Sequence, residues 1–356
     1  MGDSQKLNRM ISIIIPVKQI NNYIYESITH FLKMNYSDFE VIIYPDYIEN
    51  KNIVEKDYEL KLVKRYDNNL CEYQLYLDSR FRFIETGNLT PGEKRDLAML
   101  HAKGEYFAFI DDDAYPHKDW LINAIEILKD ETVGGVGGPA ITAPSDNIFE
   151  VGSGKVYESY LCCGNLKYRY VPGIKKDVDD IPSVNLIIKR KIFEKIGGFN
   201  SKFYPGEDTK LCLEIIKLGK RLVYDPNTLV YHHRRSLYKE HLRQIKNYAT
   251  HRGLFVKKYP QTSFKLKYFV PSFFVMGLFF GPIVCNIIPK LWNLYFGVVL
   301  LYILLAIHSL KSCLHANKRV LYNLSLLTIS FFGILTTHIT YGFCFIKGLL
   351  IKDIVK

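Results

Sequence analysis

Tyr106-Phe107-Ala108-Phe109-Ile110-Asp111-Asp112-Asp113 joins five apolar residues to three consecutive carboxylates. An unbroken aromatic and aliphatic run of this length predicts a buried strand, so the aspartates stand where that strand ends and the backbone turns out to solvent. Carboxylates placed there can share a hard divalent cation with a phosphate-bearing ligand. Lone aspartates also cap loops and strand ends with no ligand at all; three in succession on a core strand favour the metal.

Ile11 to Val17, apolar but for Ser12, reads as a second buried strand, closing at Pro16-Val17-Lys18, and Phe39 to Tyr44, apolar but for Glu40, as a third, closing at Pro45-Asp46. Asn21 to Leu32, between them, has helical periodicity. Strand, helix and strand with continuous rather than alternating apolar runs predict an α/β domain with a mostly parallel central sheet covered on both faces. Ligands of such sheets lie beyond the carboxyl ends of the strands, where Pro16, Lys18, Asp46 and Asp111 to Asp113 all fall. Glu49 to Arg82 has no readable period.

Further along, Pro91 to Asp96 leads into a helix expected over Leu97 to Ala102 and stopped by Gly104. Its cations Lys94 and Arg95 can meet phosphate or remain a solvated helix start. Gly134 to Gly138 has four glycines in five positions but neither the ending of a P-loop nor a dinucleotide fingerprint, and reads as a flexible strand edge beside an acceptor site. Ser183 to Ile188 is expected as a strand, Lys189 to Ile196 as a helix stopped by Gly197-Gly198-Phe199, and Thr209 to Leu218 as a helix ended by Gly219. Glu207-Asp208 is the second acidic site. Asp208 falls at a helix N-terminus, a place for an ionised carboxylate that either caps the helix or accepts a proton.

The chain has 356 residues and a net charge of +11, enough for one large or two modest domains. From His232 to Lys267 there are ten basic residues against Glu240 alone. No nucleic-acid recognition motif accompanies this stripe, and it immediately precedes apolar segments, so it reads as a collar for anionic lipid headgroups. Tyr268 to Pro289, Leu291 to Leu310 and Leu321 to Ile346 lack any Asp, Glu, Lys or Arg, and each has the roughly 20 residues a membrane-crossing helix needs. The division expected is 1–235 as a soluble α/β domain, 236–267 as a basic interfacial segment and 268–356 as a membrane region of three helices. Pro271, Pro282 and Pro289, with only Lys290 before the second segment, leave open a tight hairpin or a re-entrant pair.

Met1 to Met10 is polar and Ile11 to Val17 too short for an export core, so residues 1–267 are expected in the cytoplasm. Lys311, Lys318 and Arg319 put their loop on the same side, whereas three full crossings would leave Lys347, Lys352 and Lys356 outside, against the positive-inside tendency. Gly2 does not start a myristoylation motif, since Lys6 stands where Ser or Thr is wanted. The seven cysteines show neither zinc spacing nor a disulfide framework and read as reduced thiols.

Taken in order, these pieces resemble the inverting family 2 glycosyltransferases of the GT-A fold over about the first 250 residues. Ser12-Ile13-Ile14-Ile15-Pro16, Glu40-Val41-Ile42-Ile43 closing at Asp46, and Lys103-Gly104-Glu105-Tyr106 leading into the triple aspartate match the nucleotide-binding half. Gly197-Gly198-Phe199, Gly206-Glu207-Asp208-Thr209, and Pro226 followed by Val230-Tyr231-His232 match the acceptor half. The resemblance implies sugar transfer from a nucleoside diphosphate donor with inversion. It puts Asp46 on the nucleobase, Asp111 and Asp113 on the ribose and a Mg2+ or Mn2+ at the diphosphate, Asp208 as general base and Glu207 as its orienter. Pro16, Lys18, Lys94, Arg95 and Asp112 would complete the nucleotide-sugar site. His232 matches the position that closes on the diphosphate or metal, with His233 an equal candidate by chemistry.

The chain departs from the processive members in having Gln244-Ile245-Lys246-Asn247-Tyr248 where they carry Gln-x-x-Arg-Trp, which favours transfer of a single sugar. Pro45-Asp46 replaces the usual Asp-Asp after the second strand. His338, Tyr341-Gly342-Phe343 and Lys347-Gly348-Leu349-Leu350 resemble the membrane ends of enzymes acting on lipid-linked glycans. The expectation is a membrane-anchored enzyme with a lipid-linked or other membrane-associated acceptor; a processive polysaccharide synthase and a non-catalytic nucleotide-sugar-binding scaffold are the alternatives.

Overall fold

The computed structural model describes residues 9–48, 59–66, 70–201, 203–314 and 319–353. It divides into one compact unit of residues 1–140 and 172–232 and a second of residues 141–171 and 233–356. Along the chain the strands are β1 (Ile11–Pro16), β2 (Phe39–Tyr44), β3 (Leu60–Arg65), β4 (Cys71–Leu75), β5 (Phe81–Ile84), β6 (Tyr106–Phe109), β7 (Ala114–Pro116) and β8 (Val133–Gly137). The chain leaves the first unit within β9 (Ala140–Thr142) and returns for β10 (Lys176–Val178), β11 (Leu186–Lys189), β12 (Arg221–Tyr224) and β13 (Val230–His232). The helices are α1 (Asn22–Phe31), α2 (Pro91–Asp96), α3 (Ala98–His101), α4 (Trp120–Leu128), α5 (Ile148–Glu158), α6 (Tyr160–Cys163), α7 (Arg190–Ile196) and α8 (Glu207–Lys217). After them come α9 (Lys239–Lys258), α10 (Pro260–Ser263), α11 (Leu266–Ile287), α12 (Trp292–Ser309) and α13 (Val320–Leu350).

Ten strands of the first unit form one sheet in the order β10-β12-β8-β11-β6-β1-β2-β5-β4-β3. Its centre, β6-β1-β2-β5, is parallel, and every residue of β1, β2 and β6 is buried. Parallel strands end on one edge, so Lys18, Asp46 and Asp111 are carried there together. Toward both sides the sheet turns antiparallel, at β11 against β6 and β8 and at β4 against β5 and β3. The β3-β4 pair lies in the stretch without a readable period, of which 49–58 and 67–69 fall outside the described residues.

Four local expectations need correction. The helix expected from Leu97 begins at Pro91, because Thr90 and Glu93 close a reciprocal capping box and Pro91 takes the first turn. Gly134 to Gly138 is no flexible edge: β8 is paired on both sides and wholly buried. A Cβ on Gly137 would lie 2.2 Å from the Asn185 carbonyl oxygen and one on Gly138 1.9 Å from that of Thr228, so the glycines serve close backbone approach. Ser183–Asn185 is a short 3-10 turn, the strand starting at Leu186; Asn185 accepts from Trp120 Nε1 at 2.8 Å and donates to the Thr228 carbonyl at 2.7 Å. Finally α8 starts at Glu207 behind Gly206, whose φ of +118° suits glycine. Asp208 therefore lies inside the first turn rather than at the N-cap, its Oδ1 accepting from the Thr209 N–H at 2.7 Å.

In the second unit α9 turns His241, Ile245, Ala249 and Leu254 inward and leaves Lys239, Arg243, Lys246, Lys257 and Lys258 exposed. His241 Nδ1 lies 2.8 Å from Ser153 Oγ on α5 and its Nε2 2.9 Å from Thr337 Oγ1 on α13. His338 on α13 lies 2.9 Å from Tyr302 Oη on α12 and 3.2 Å from the Leu161 carbonyl on α6. Leu266–Ile287, Pro289–Cys313 and Val320–Leu350, of 22, 25 and 31 residues, are long and apolar enough to cross a membrane. Pro271 and Pro282 sit within the first of them. Gly2, Lys6, Lys318 and Lys356 lie outside the described residues.

Candidate active site

The aspartates after β6 form a tight turn, the Ala114 N–H donating to the Asp111 carbonyl at 3.2 Å. The chain then enters β7, which pairs antiparallel with β13 so that His232 stands opposite Ala114. That register delivers His232 Nε2 to within 3.0 Å of Asp113 Oδ1. One ligand atom each from Asp111, Asp113 and His232 lie within 4.8 Å of one another. His233, chemically equal in the sequence, instead places its Nδ1 2.6 Å from Asp146 Oδ1. Asp112 accepts from Asn21, whose Nδ2 donates to Asp112 Oδ2 at 2.9 Å while its Oδ1 caps α1 through the Tyr23 and Ile24 N–H groups. Burial, then the charges of Asp113 and Asp111, push the Asp112 carboxyl up to about 6.

Both cations on α2 are buried rather than solvated. Lys94 Nζ donates to the Val17 carbonyl at 2.7 Å, to the Tyr44 carbonyl at 3.2 Å, and to Asp46. It thus closes the ends of β1 and β2 and fixes the carboxylate that follows β2. Asp46 is also braced by its backbone, its N–H donating to the Lys18 carbonyl at 3.1 Å and its carbonyl accepting from Gly87 at 2.9 Å. The side chain of Lys18 is exposed at this edge, and Pro16 is buried.

Arg95 bridges the two acidic sites. Its Nη2 donates to Asp111 Oδ1 at 2.6 Å and its Nη1 to Glu207 Oε1 at 3.1 Å, and its guanidinium lies over the Phe199 ring. The nearby charges of Asp111, Glu207 and Asp208 outweigh burial and raise the guanidinium's pKa. Glu207 has only a share of that one cation against its own burial and the charge of Asp208, and its carboxyl is pushed up to about 7. Asp96, the next residue, accepts from the Phe199 and Asn200 N–H groups at 2.6 and 3.0 Å. Asn21 and Asp96 escaped the sequence reading; Asn21 stood at a recognisable helix start, but nothing local signals its partner 91 positions away.

A family profile described as Glycosyl transferase family 2 matches residues 12–197, more than half of the chain. The chain belongs to glycosyltransferase family 2. A second profile, Glycosyl transferase family group 2, matches residues 106–341. The pre-mycofactocin glycosyltransferase of Mycobacterium tuberculosis (strain ATCC 25618 / H37Rv) is 29% identical over 149 residues, which are 41% of this chain and 30% of that protein's length. The dolichyl N-acetyl-alpha-D-glucosaminyl phosphate 3-beta-D-2,3-diacetamido-2,3-dideoxy-beta-D-glucuronosyltransferase of Methanococcus voltae is 25% identical over 257 residues, 70% of this chain and 74% of that one. Among solved structures, the mannosyltransferase PcManGT from Pyrobaculum calidifontis, in complex with GDP-Man and Mn2+, is 19% identical, with a TM-score of 0.47 over 70% of this chain and 64% of its own. Family 2 is the family of inverting GT-A glycosyltransferases, and this chain spans 30% of the length of the pre-mycofactocin relative it matches.

Proposed function

We propose that this chain moves one sugar from a nucleoside diphosphate sugar to a membrane-associated, lipid-linked acceptor, with Asp208 taking the acceptor proton. The observation that carries this reading is that two acidic sites far apart in sequence are held to one buried guanidinium, Arg95. Attack on the anomeric carbon requires a base beside the acceptor hydroxyl. Glu207, bound to Arg95, sets the first turn of α8 and with it the direction of Asp208. Asp46, fixed by Lys94, faces the nucleobase; Asp111 and Asp113 serve the ribose and the metal, and the exposed Lys18 meets the diphosphate.

Asp111, Asp113 and His232 offer two carboxylate oxygens and one imidazole nitrogen, a donor set that fits Mg2+ and, through the imidazole, fits Mn2+ better. Bound there, the ion would offset the charge that develops on the departing nucleoside diphosphate. The protein's own part is to hold the three donors on a turn and a strand pair of fixed register.

The first unit is read as the catalytic domain, α9 as an interfacial helix and 268–356 as the membrane region, with the catalytic domain in the cytoplasm. Large apolar side chains such as Phe280, Leu301 and Leu304 are more than half exposed on the apolar helices, as lipid-facing surfaces are. The exposed cations of α9 suit anionic headgroups. The Methanococcus relative acts, by its name, on a dolichyl-linked sugar, and Asn247-Tyr248 where processive members carry Arg-Trp favours a single transfer over polymerisation.

The test is to incubate purified full-length protein with a panel of nucleotide sugars, with and without lipid extract, and follow nucleoside diphosphate release and sugar transfer. Asp208→Asn should lose on the order of a hundredfold or more in transfer while donor affinity stays the same. Near-normal transfer by the folded variant removes Asp208 from the mechanism.

A further inference from the structure

Arg95 is only 3% exposed, yet it faces two carboxylates with different duties. Nη2 takes Asp111 at 2.6 Å and Nη1 takes Glu207 at 3.1 Å, while Nε has no hydrogen-bond partner among the described residues, and neither has Glu207 Oε2. A planar fork can hold two carboxylates in a fixed mutual geometry; a lysine ammonium is a point charge and cannot. The helix carrying it is pinned at its start by the Thr90–Glu93 capping box and at its end by Asp96 on the Phe199–Asn200 backbone. The guanidinium is therefore held in place rather than free to follow its partners.

Asp111 is at once a partner of Arg95 and a member of the Asp111–Asp113–His232 cluster. A cation entering that cluster meets a buried positive charge bound to one of its own ligands. Like-charge repulsion between that cation and the guanidinium acts through the shared Asp111 carboxylate, screened in part because the Asp111 side chain is 32% exposed. We propose that Arg95 is a positioning residue that ties the base-bearing turn of α8 to Asp111 and, by the same contact, lowers the affinity of the cluster for its divalent cation. Arg95 thus trades tight metal binding for alignment of donor and acceptor sites, and leaves the cation free to depart with the nucleoside diphosphate. This rests on the metal reading given above.

The experiment is Mn2+ titration by calorimetry on the full-length purified chain, alongside sugar transfer at saturating Mn2+ and thermal unfolding. Unaltered protein should bind Mn2+ and Asp113→Ala should lose that binding. Arg95→Met should bind Mn2+ about tenfold more tightly while its turnover falls on the order of a hundredfold with donor KM little changed. Because Arg95→Met leaves Glu207 buried without its cation, the double variant Arg95→Met/Glu207→Gln repeats the measurement without that charge and should show the same tighter binding. Arg95→Lys keeps the charge and should bind Mn2+ like the unaltered protein yet turn over at least about tenfold more slowly. A merely structural arginine would weaken binding and turnover together. Folded neutral variants with unchanged or weaker Mn2+ affinity, or full turnover in Arg95→Lys, overturn the role of Arg95 and leave the metal site standing. Absence of Mn2+ binding by the unaltered protein, or binding undiminished in Asp113→Ala, overturns the metal reading and this inference with it.

Discussion

In the first unit Lys94, Arg95 and Glu207 are buried in ion pairs at the ends of strands and at the start of α8, whereas the buried polar residues of the three apolar helices are Ser272, Ser330, Thr337 and His338. Ser272 donates to the Gly342 carbonyl at 3.0 Å, and Thr337 and His338 bond to hydroxyl, imidazole or carbonyl groups. The difference follows from what each region must do. Burying an ion is costly and is offset only by a well-placed counter-ion and further hydrogen bonds; a site proposed to handle a diphosphate and a proton would need such charges fixed in advance. Helices proposed to face hydrocarbon need only be held to one another, and neutral groups such as these do this with far less desolvation.

Lys94→Met tests the ionic side most severely. It would leave Asp46 without its cation and take the Lys94 bond from the Val17 carbonyl, while the Tyr44 carbonyl keeps the Val17 N–H, a loss of about 3–5 kcal/mol. The first unit should then melt roughly ten degrees lower, followed by Trp120 fluorescence in a Trp292→Phe background. A shift as small as that of a neutral hydrogen bond would erase the contrast between the two regions.

Glu207 sharpens it through pH. Its folded carboxyl is pushed up to about 7, against about 4.3 when unfolded, by burial, by Asp208 and by Asp111, with Arg95 opposing. The native state then holds this proton more tightly than the unfolded chain. Its stabilising share is complete below about pH 4 and lost as pH rises through 7. Glu207→Gln should therefore gain stability over the unaltered protein on going from pH 5 to pH 8, by on the order of 2 kcal/mol, in urea titrations at the two values. A gap that narrows instead would mean that Arg95 outweighs burial.

Thr337→Val should have the smallest effect. Burial, then the Arg234 charge, push His241 down to about 4, so at neutral pH its imidazole is uncharged and the bond to Thr337 joins two neutral groups. Its loss should amount to about 1 kcal/mol, seen as modestly faster hydrogen exchange over Lys239–Lys258. Unfolding of α9 by this change would place a burden on neutral bonds that the contrast denies them.

What was legible in the sequence is what burial writes locally. β1, β2 and β6 are sealed on both faces, so their residues are apolar apart from Ser12 and Glu40, which bond to each other, and their ends could be placed within a residue or so. Asp111 to Asp113 were visible because they end such a run, and Glu207-Asp208 because they follow Pro205-Gly206 at a helix start. β3 escaped because five of its six residues are exposed, leaving no pattern to find. Lys94 and Arg95 were visible as cations, but their destinations were not. Their partners Asp46 and Glu207 lie 48 and 112 positions away, and a capping box that starts a helix at Pro91 says nothing about what the helix will reach. The glycines of β8 misled for the same reason: a tight approach by Asn185 and Thr228 is a property of other segments.

Helix α2 sends Lys94, Arg95 and Asp96 to three different loops in succession. Altering any one of those loops, proposed above to serve the nucleotide, the metal and the acceptor, will disturb a helix that the other two share. Useful variants should therefore come in correlated sets, and libraries that vary Asp46, Asp111 and the Phe199 loop one at a time should yield fewer active proteins than libraries that vary them with residues 94–96 together.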